Sequence, residues 1–364
     1  MYEALLRPLL FRLDAERAHG LALAAGARLG AHRGGRAWLR ARYGVEDARL
    51  RTHIGGFDLP NPIGLPAGLD KNGVAVPALA ALGFGMIDIG SVSALPSAGN
   101  PERPRLHRLP ADRGIVVNYG VPNDGAAAVA ARLAGCDRPV PLGVSLVETN
   151  TGRPVPTDAV IAEFVAAARA VRAHCDYRIL NLFCPNSPAG IAHFDDPARL
   201  RALLQALADT EAGACVFLRL APPADDARID ALLGVVDAFP FVRGIGFYVR
   251  PPDLEQRLAT PAAARAHLRG SFSGPASRDA TLATLRQWYP RIDRARLALI
   301  GVGGVFSAAD AYACIRAGAT LVQVLTALVY RGPGVVGEIK RGLAALLARD
   351  GFASAAAAVG ADHA

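Results

Sequence analysis

The stretch Ile179-Leu-Asn-Leu-Phe-Cys-Pro-Asn-Ser-Pro-Ala-Gly190 changes character halfway. It opens as an apolar run of the kind a buried parallel strand needs, and it ends as a loop rich in proline and glycine. A thiol, Cys184, therefore stands between two carboxamides, Asn181 and Asn186, where a strand becomes a loop. Such a thiol can take up a proton, and the two amides can hold a planar polar molecule by paired donors and acceptors. A buried structural cysteine beside turn asparagines is the plainer reading of the same residues.

The same punctuation recurs along the chain after residue 60. Strand-like runs occupy 62–67, 86–92, 140–147, 178–183, 215–221, 243–249, 297–302 and 321–326. Ala- and Leu-rich helical patterns occupy 72–82, 123–134, 157–174, 197–211, 225–238, 278–288, 308–316 and 334–348. Thr157, Ser277 and Ser307 read as caps at helix entries. Eight alternations with buried-type strands predict an α/β fold, a (β/α)8 barrel; a doubly wound open sheet is the alternative. In a barrel, chemistry sits at the carboxyl ends of the strands. Asn181 to Asn186 closes the fourth strand, Ala67-Gly-Leu-Asp-Lys71 the first, and Ser91 and Ser93 the second. Arg219 ends the fifth, Gly303 and Gly304 follow the seventh, and Thr326 follows the eighth.

Residues 1–40 precede the barrel, which is expected to span 41–364 with an N-terminal helical hairpin before it. Leu5, Leu6, Leu9, Leu10 and Leu13 share a face at helical spacing, and Leu21, Leu23 and Leu29 continue in a second helix. These helices either pack on the barrel or form an apolar groove that lies on a membrane surface. No run is long enough to span a bilayer, and Arg7, Arg12, Asp14 and Glu16 interrupt any signal-peptide pattern. The five cysteines form no CxxC pair, which argues against a zinc site or a disulfide framework. Arginine carries nearly all the positive charge, Lys71 and Lys340 being the only lysines. The net charge of +8 favours acidic partners or an anionic membrane, and no basic run interleaves with aromatics as nucleic-acid binding would need.

Gly301-Val-Gly-Gly304 allows close backbone approach to a ligand, with a helix following from about Ser307 and Gly274 placed before another helix. Barrels often hold a phosphate after strands seven and eight. With Lys71 and Arg219 at the mouth, flavin mononucleotide (FMN) fits, since a cation near its pyrimidine edge stabilises the reduced form. A phosphosugar would suit the phosphate site equally.

These residues carry a resemblance to the dihydroorotate dehydrogenase family, most of all to its class 2, membrane-associated, quinone-reducing branch. The matching stretches are Met1 to Phe11, Glu16-Arg-Ala-His19, Asn61 to Gly73, Gly99-Asn-Pro, Pro104 to Pro110, Ile300 to Ser307, Leu328 to Gly334 and Leu347 to Ser354. The resemblance implies Cys184 as the base and FMN held by Ala67, Gly68, Lys71, Ser91, Ser145, Asn181, Arg219, Tyr248, Gly274, Gly303, Gly304 and Thr326. It places Lys71, Asn118, Tyr119, Gly120, Asn181, Asn186, Ser187 and Arg250 around a small-molecule substrate. His19 and Arg105 fall near the inner end of a quinone tunnel in the hairpin. It further implies a monomer on the cytoplasmic face of a bacterial cell membrane, with no metal.

Several positions depart from that pattern. Class 2 members carry serine where Cys184 stands, cysteine being the class 1 choice. Arg219 replaces a lysine, and Ser145 replaces a flavin-contacting asparagine. Val117 and Val249 replace two orotate-holding amides. Each lost amide leaves a polar edge of a buried ring unpaired, at about 1–3 kcal/mol. The expected activity is oxidation of dihydroorotate to orotate with a quinone as acceptor. The same flavin chemistry on a different small substrate is one alternative, and a non-catalytic flavin-binding protein another.

Overall fold

The computed structural model describes residues 2–186, 194–211, 214–223 and 225–364. Eight parallel strands close into a barrel: β1 (Ile63–Leu65), β2 (Met86–Val92), β3 (Leu142–Leu146), β4 (Tyr177–Asn181), β5 (Val216–Leu220), β6 (Val242–Phe247), β7 (Ala298–Val302) and β8 (Ala319–Gln323). Each strand pairs with the next in sequence, and β8 returns to β1 with Val322 opposite Ile63 and Gln323 opposite Gly64. The closed ring excludes the doubly wound alternative. All seven residues of β2 are buried, as expected of a strand sandwiched between a barrel interior and surrounding helices.

A helix occupies each of the eight helical patterns, with local corrections. The first begins at Val76 because the Asp70 carboxylate accepts hydrogen bonds from the amides of Asn72, Val74 and Ala75 and organises that stretch as a loop. The second begins at Ala126, since Asn123 instead bridges the Ser93 and Gly125 amides. Ser307 caps its helix by accepting from the Asp310 amide. The other two expected caps do not act so. Pro156 holds the cap position before Thr157, and Ser277 sits in helical conformation at the end of a 3-10 turn with no capping bond.

Two small sheets have no counterpart in the sequence reading. A hairpin of Thr52–Ile54 and Phe57–Leu59 plugs the amino end of the barrel, packing Ile54 and Leu59 on Tyr177, Phe217, Ile300 and Leu321. Its Gly55 has φ +60°, and a Cβ there would collide with the Cys215 sulfur. At the opposite end, Leu106–Leu109, Gly114–Val117 and Ser271–Ser273 form an antiparallel sheet beside the mouth.

The N-terminal segment holds three helices: α1 (Arg7–Arg12), α2 (Ala15–Ala31) and α3 (Arg33–Tyr43). Asp14 caps α2 through the Arg17 amide. The hairpin expected over 1–40 thus carries an additional helix that ends at Tyr43. The leucine face does not all pack on the barrel, for Leu5 is 60 % exposed, Leu9 59 % and Trp38 on α3 55 %. Among the described residues no helix is long and apolar enough to cross a membrane. Ser307→Ala should lower stability by about 1 kcal/mol through the lost cap. Urea unfolding followed by circular dichroism measures this, and an unchanged midpoint would show that the cap contributes nothing.

Candidate active site

The carboxyl ends of the strands and the inner faces of α1 and α2 enclose one continuous cavity of about 580 Å³. Cys184 reaches it from the loop after β4, as a buried thiol outside any disulfide. Asn181 lies beside it as the last residue of β4. Its Nδ2 donates to Ser91 Oγ at 3.0 Å, while its Oδ1 is buried with no hydrogen-bond partner among the described residues. A buried, unsatisfied carbonyl costs about 1–3 kcal/mol, so this atom calls for a donor from a ligand. Asn186 also lines the cavity, its Oδ1 accepting from Ser271 Oγ at 2.9 Å and its backbone oxygen from Asn100 Nδ2.

Lys71 enters from the loop after β1. That loop is tied to β2 by two backbone bonds, Gly68 N to Gly90 O and Gly90 N to Asp70 O, and is stiffened by the Asp70 carboxylate. The ammonium donates to Gly68 O and lies 4.1 Å from the centre of the Tyr119 ring. Burial, helped by Arg105, lowers its pKa to about 8. Arg105 flanks the same ring at 5.2 Å, so Tyr119 lies between two cations, a favourable use of its negative π-faces. Arg105 itself stays behind the wall, where it grips the carboxylate of Glu16 on α2 and so joins hairpin to barrel. His19 on α2 lines the cavity with its ring centre 6.4 Å from that of Tyr119. Burial and the Lys71 charge depress its pKa to about 4, so the imidazole is neutral at ordinary pH.

The opposite wall carries Arg219 from β5 and Gln323 from β8. Among the described residues the Arg219 guanidinium has no hydrogen-bond partner, although Asp88 stands near enough to act on its charge. Ala67, Gly68, Ser91, Gly120 and Tyr248 contribute to the same surface. Gly303 and Gly304 line it with φ of +115° and +76°, values that favour glycine, and Thr326 lines it from a short helix, Thr326–Arg331. The helix after Ser307 is differently disposed from the sequence expectation. Its first turn is taken by the Asp310 carboxylate, which accepts from the Phe306 amide and the Ser307 hydroxyl.

Five expected site residues do not line the cavity. Ser145 lies behind Ser91, 2.8 Å from its hydroxyl. Asn118 is engaged by Asn100. Arg250 points to solvent and pairs with Glu255. Gly274 is an extended packing residue whose Cβ would press on Gly114. Arg105 acts through Tyr119, as described. Ser187 lies outside the described residues. Sequence reasoning passed over Arg108, Phe183, Ser271 and Gln323, all of which line the cavity. Two of them had a signal: Arg108 lies within the Pro104 to Pro110 motif, and Phe183 within the Ile179 to Gly190 stretch. Val117 and Val249 do face the cavity, so the two valines expected in place of amides form part of its wall.

A barrel with a cavity of this shape, polar at the strand ends and apolar beneath a helical hairpin, defines a class of small-molecule enzyme whose chemistry sits at the barrel mouth. The sequence profile of the dihydroorotate dehydrogenase family matches residues 49–347. A quinone dihydroorotate dehydrogenase of Acidithiobacillus ferrooxidans is 38 % identical over 99 % of both chains. One from Thermobifida fusca is 40 % identical over 100 % of this chain and 97 % of its own. A crystal structure of the Eimeria tenella enzyme in complex with ferulenol superposes with a TM-score of 0.79 at 25 % identity, covering 96 % of each chain. The chain belongs to the dihydroorotate dehydrogenase family, in its class 2 branch, and is an oxidoreductase of that flavin-dependent group.

The state of His19 has a consequence for stability. The unfolded imidazole binds a proton near its ordinary 6.5, whereas the folded one resists until about 4. The unfolded chain therefore binds more protons between these values, and stability falls as pH drops from 6.5 towards 4. His19→Gln should flatten that part of the profile in denaturant titrations; an identical slope in the variant would contradict the assignment.

Proposed function

We propose that this chain oxidises (S)-dihydroorotate to orotate on bound FMN and hands the electrons to a quinone. The observation that carries the reading is the single cavity, which joins Cys184 and Asn181 to the apolar space under α1 and α2. The barrel residues fit FMN. Among the described residues Asn181 Oδ1 lacks a donor and Arg219 has no hydrogen-bond partner, and the Gly303–Gly304 backbone leaves a wall without side chains. Lys71, Asn181, Ser91, Arg219, Thr326 and the two glycines would hold it. When bound, the flavin supplies the acceptor for the substrate hydride and the donor for the quinone.

The chain's own residues do the rest. Cys184, as its thiolate, takes the proton from the substrate carbon next to the one that loses hydride. Lys71 is charged below about pH 8 and suits the substrate carboxylate. Asn181 and Asn186 pair with the ring edges. Where two amides have become Val117 and Val249, the Ser271 hydroxyl and the Tyr248 phenol stand beside Asn186 and supply polar contacts to the same region. The neutral His19 and Tyr119 lie where the hairpin meets the mouth, the place for a quinone head, with the tail among Leu10, Phe11 and Leu23. The exposed leucines and Trp38, beside the arginines of α3, would rest on the cytoplasmic face of a bacterial membrane, with the protein a monomer. The full-length relatives favour this reading over a different substrate, a non-catalytic flavoprotein or a phosphosugar enzyme.

In stopped-flow experiments dihydroorotate should bleach the flavin rapidly. Cys184→Ala should slow that step by roughly 10²–10⁴-fold, the usual worth of a positioned base. Equal bleaching rates in the two proteins would remove Cys184 from the mechanism. Ala18→Trp, which fills the hairpin part of the cavity, should suppress quinone turnover and leave bleaching intact. Normal turnover in that variant would show that the quinone enters elsewhere.

A further inference from the structure

Beneath the cavity the barrel interior holds a polar cluster that the mechanism above does not use. Asp88 on β2 is 6 % exposed. The Tyr177 hydroxyl, from the start of β4, donates to its Oδ1, and Gln323 Nε2, from the end of β8, donates to its Oδ2 at 2.6 Å. The three residues come from alternate strands and meet inside the barrel core, where branched apolar side chains are usual. Gln323 and Arg219 both face the cavity, whereas Asp88 and Tyr177 do not. Asp88 is the carboxylate that acts most on the Arg219 charge, and Arg219 is the cation that acts on Asp88. A charge buried this deeply persists only with such partners.

We propose that Asp88 is a positioning residue for the flavin site: its carboxylate orients Gln323, partly offsets the charge of Arg219, and thereby sets how readily the bound flavin is reduced. The proposal rests on the flavin reading given above. A fixed negative charge below the cofactor opposes the negative charge gained on reduction, and it acts strongly because the interior screens it weakly. Burial lifts the Asp88 carboxyl to about 6, against the pull of Tyr177, Gln323 and Arg219, so the group is ionised at pH 8.

The test is the flavin midpoint potential of the holoprotein at pH 8, read by dye equilibration, in wild type, Asp88→Asn and Tyr177→Phe. Asp88→Asn should raise the potential, increasing the reduced-to-oxidised ratio about tenfold at a fixed poise, or about 30 mV for two electrons. Tyr177→Phe keeps the carboxylate but removes one donor to it, so its charge is less compensated and the potential should fall, by about threefold in the same ratio. Opposite signs separate an electrostatic role from simple loosening of the core. An unchanged potential in a flavin-loaded Asp88→Asn protein, or shifts of one sign in both variants, overturns the proposal. If Asp88→Asn does not fold, Tyr177→Phe decides alone, and no fall in potential overturns it. A wild-type protein that takes up no flavin overturns the flavin reading itself, and this inference with it.

Discussion

Closure of the barrel between β8 and β1 is the constraint on which the rest of the molecule depends. Gln323 opposite Gly64 brings the last strand against the first, and the eight carboxyl ends then ring a single cavity. Residues as far apart in the chain as Lys71, Cys184, Arg219 and Thr326 meet only because that ring is closed. Glycine at 64 suits the seam, for a Cβ there would press tightly on Leu321 and Gln323. The amino end is sealed by the Thr52–Leu59 hairpin, so ligands reach the interior from the mouth.

The cavity has two chemical characters, and Tyr119 stands where they meet. Towards the barrel it offers amides, a thiol and two cations. Towards α1 and α2 it is lined by alanine, leucine and phenylalanine. Glu16 clasps Arg105, Arg105 and Lys71 flank the Tyr119 ring, and Arg108 donates to the carbonyls of Phe11 and Leu13, so the hairpin is tied to the barrel at several points. The two characters thus occupy opposite ends of one cavity.

The eight barrel strands were legible because parallel strands are buried on both faces and read as largely apolar runs. The strands of the mouth sheet and the basal hairpin were not, since three- or four-residue segments such as Ser271–Ser273 and Thr52–Ile54 carry no periodicity. Helix α3 was not legible because it opens on Gly34-Gly35 and carries four arginines against few apolar residues, which makes it polar as a whole. In the site, Cys184, Asn181 and Lys71 were visible as odd residues at strand ends. Ser145, Asn118 and Arg250 lie next to cavity residues in sequence, but their side chains serve Ser91, Asn100 and Glu255. Spacing alone does not reveal which way such a side chain turns. Asp88, Tyr177 and Gln323 were hidden for a related reason: polar residues inside strands read as ordinary members of an apolar run.

The wall of the pocket holds Val117, Val249 and Arg219 where the resemblance leads to two amides and a lysine, and Cys184 where it leads to serine, while Asn181, Asn186 and Lys71 still line it, so the central claim is that this set of groups works on dihydroorotate. The most direct measurement is the visible spectrum of the purified protein under anaerobic titration, first with dihydroorotate and then with a short-chain quinone. The account predicts flavin absorption that bleaches with the first addition and returns with the second. Flavin absorption that millimolar dihydroorotate leaves unchanged would contradict it.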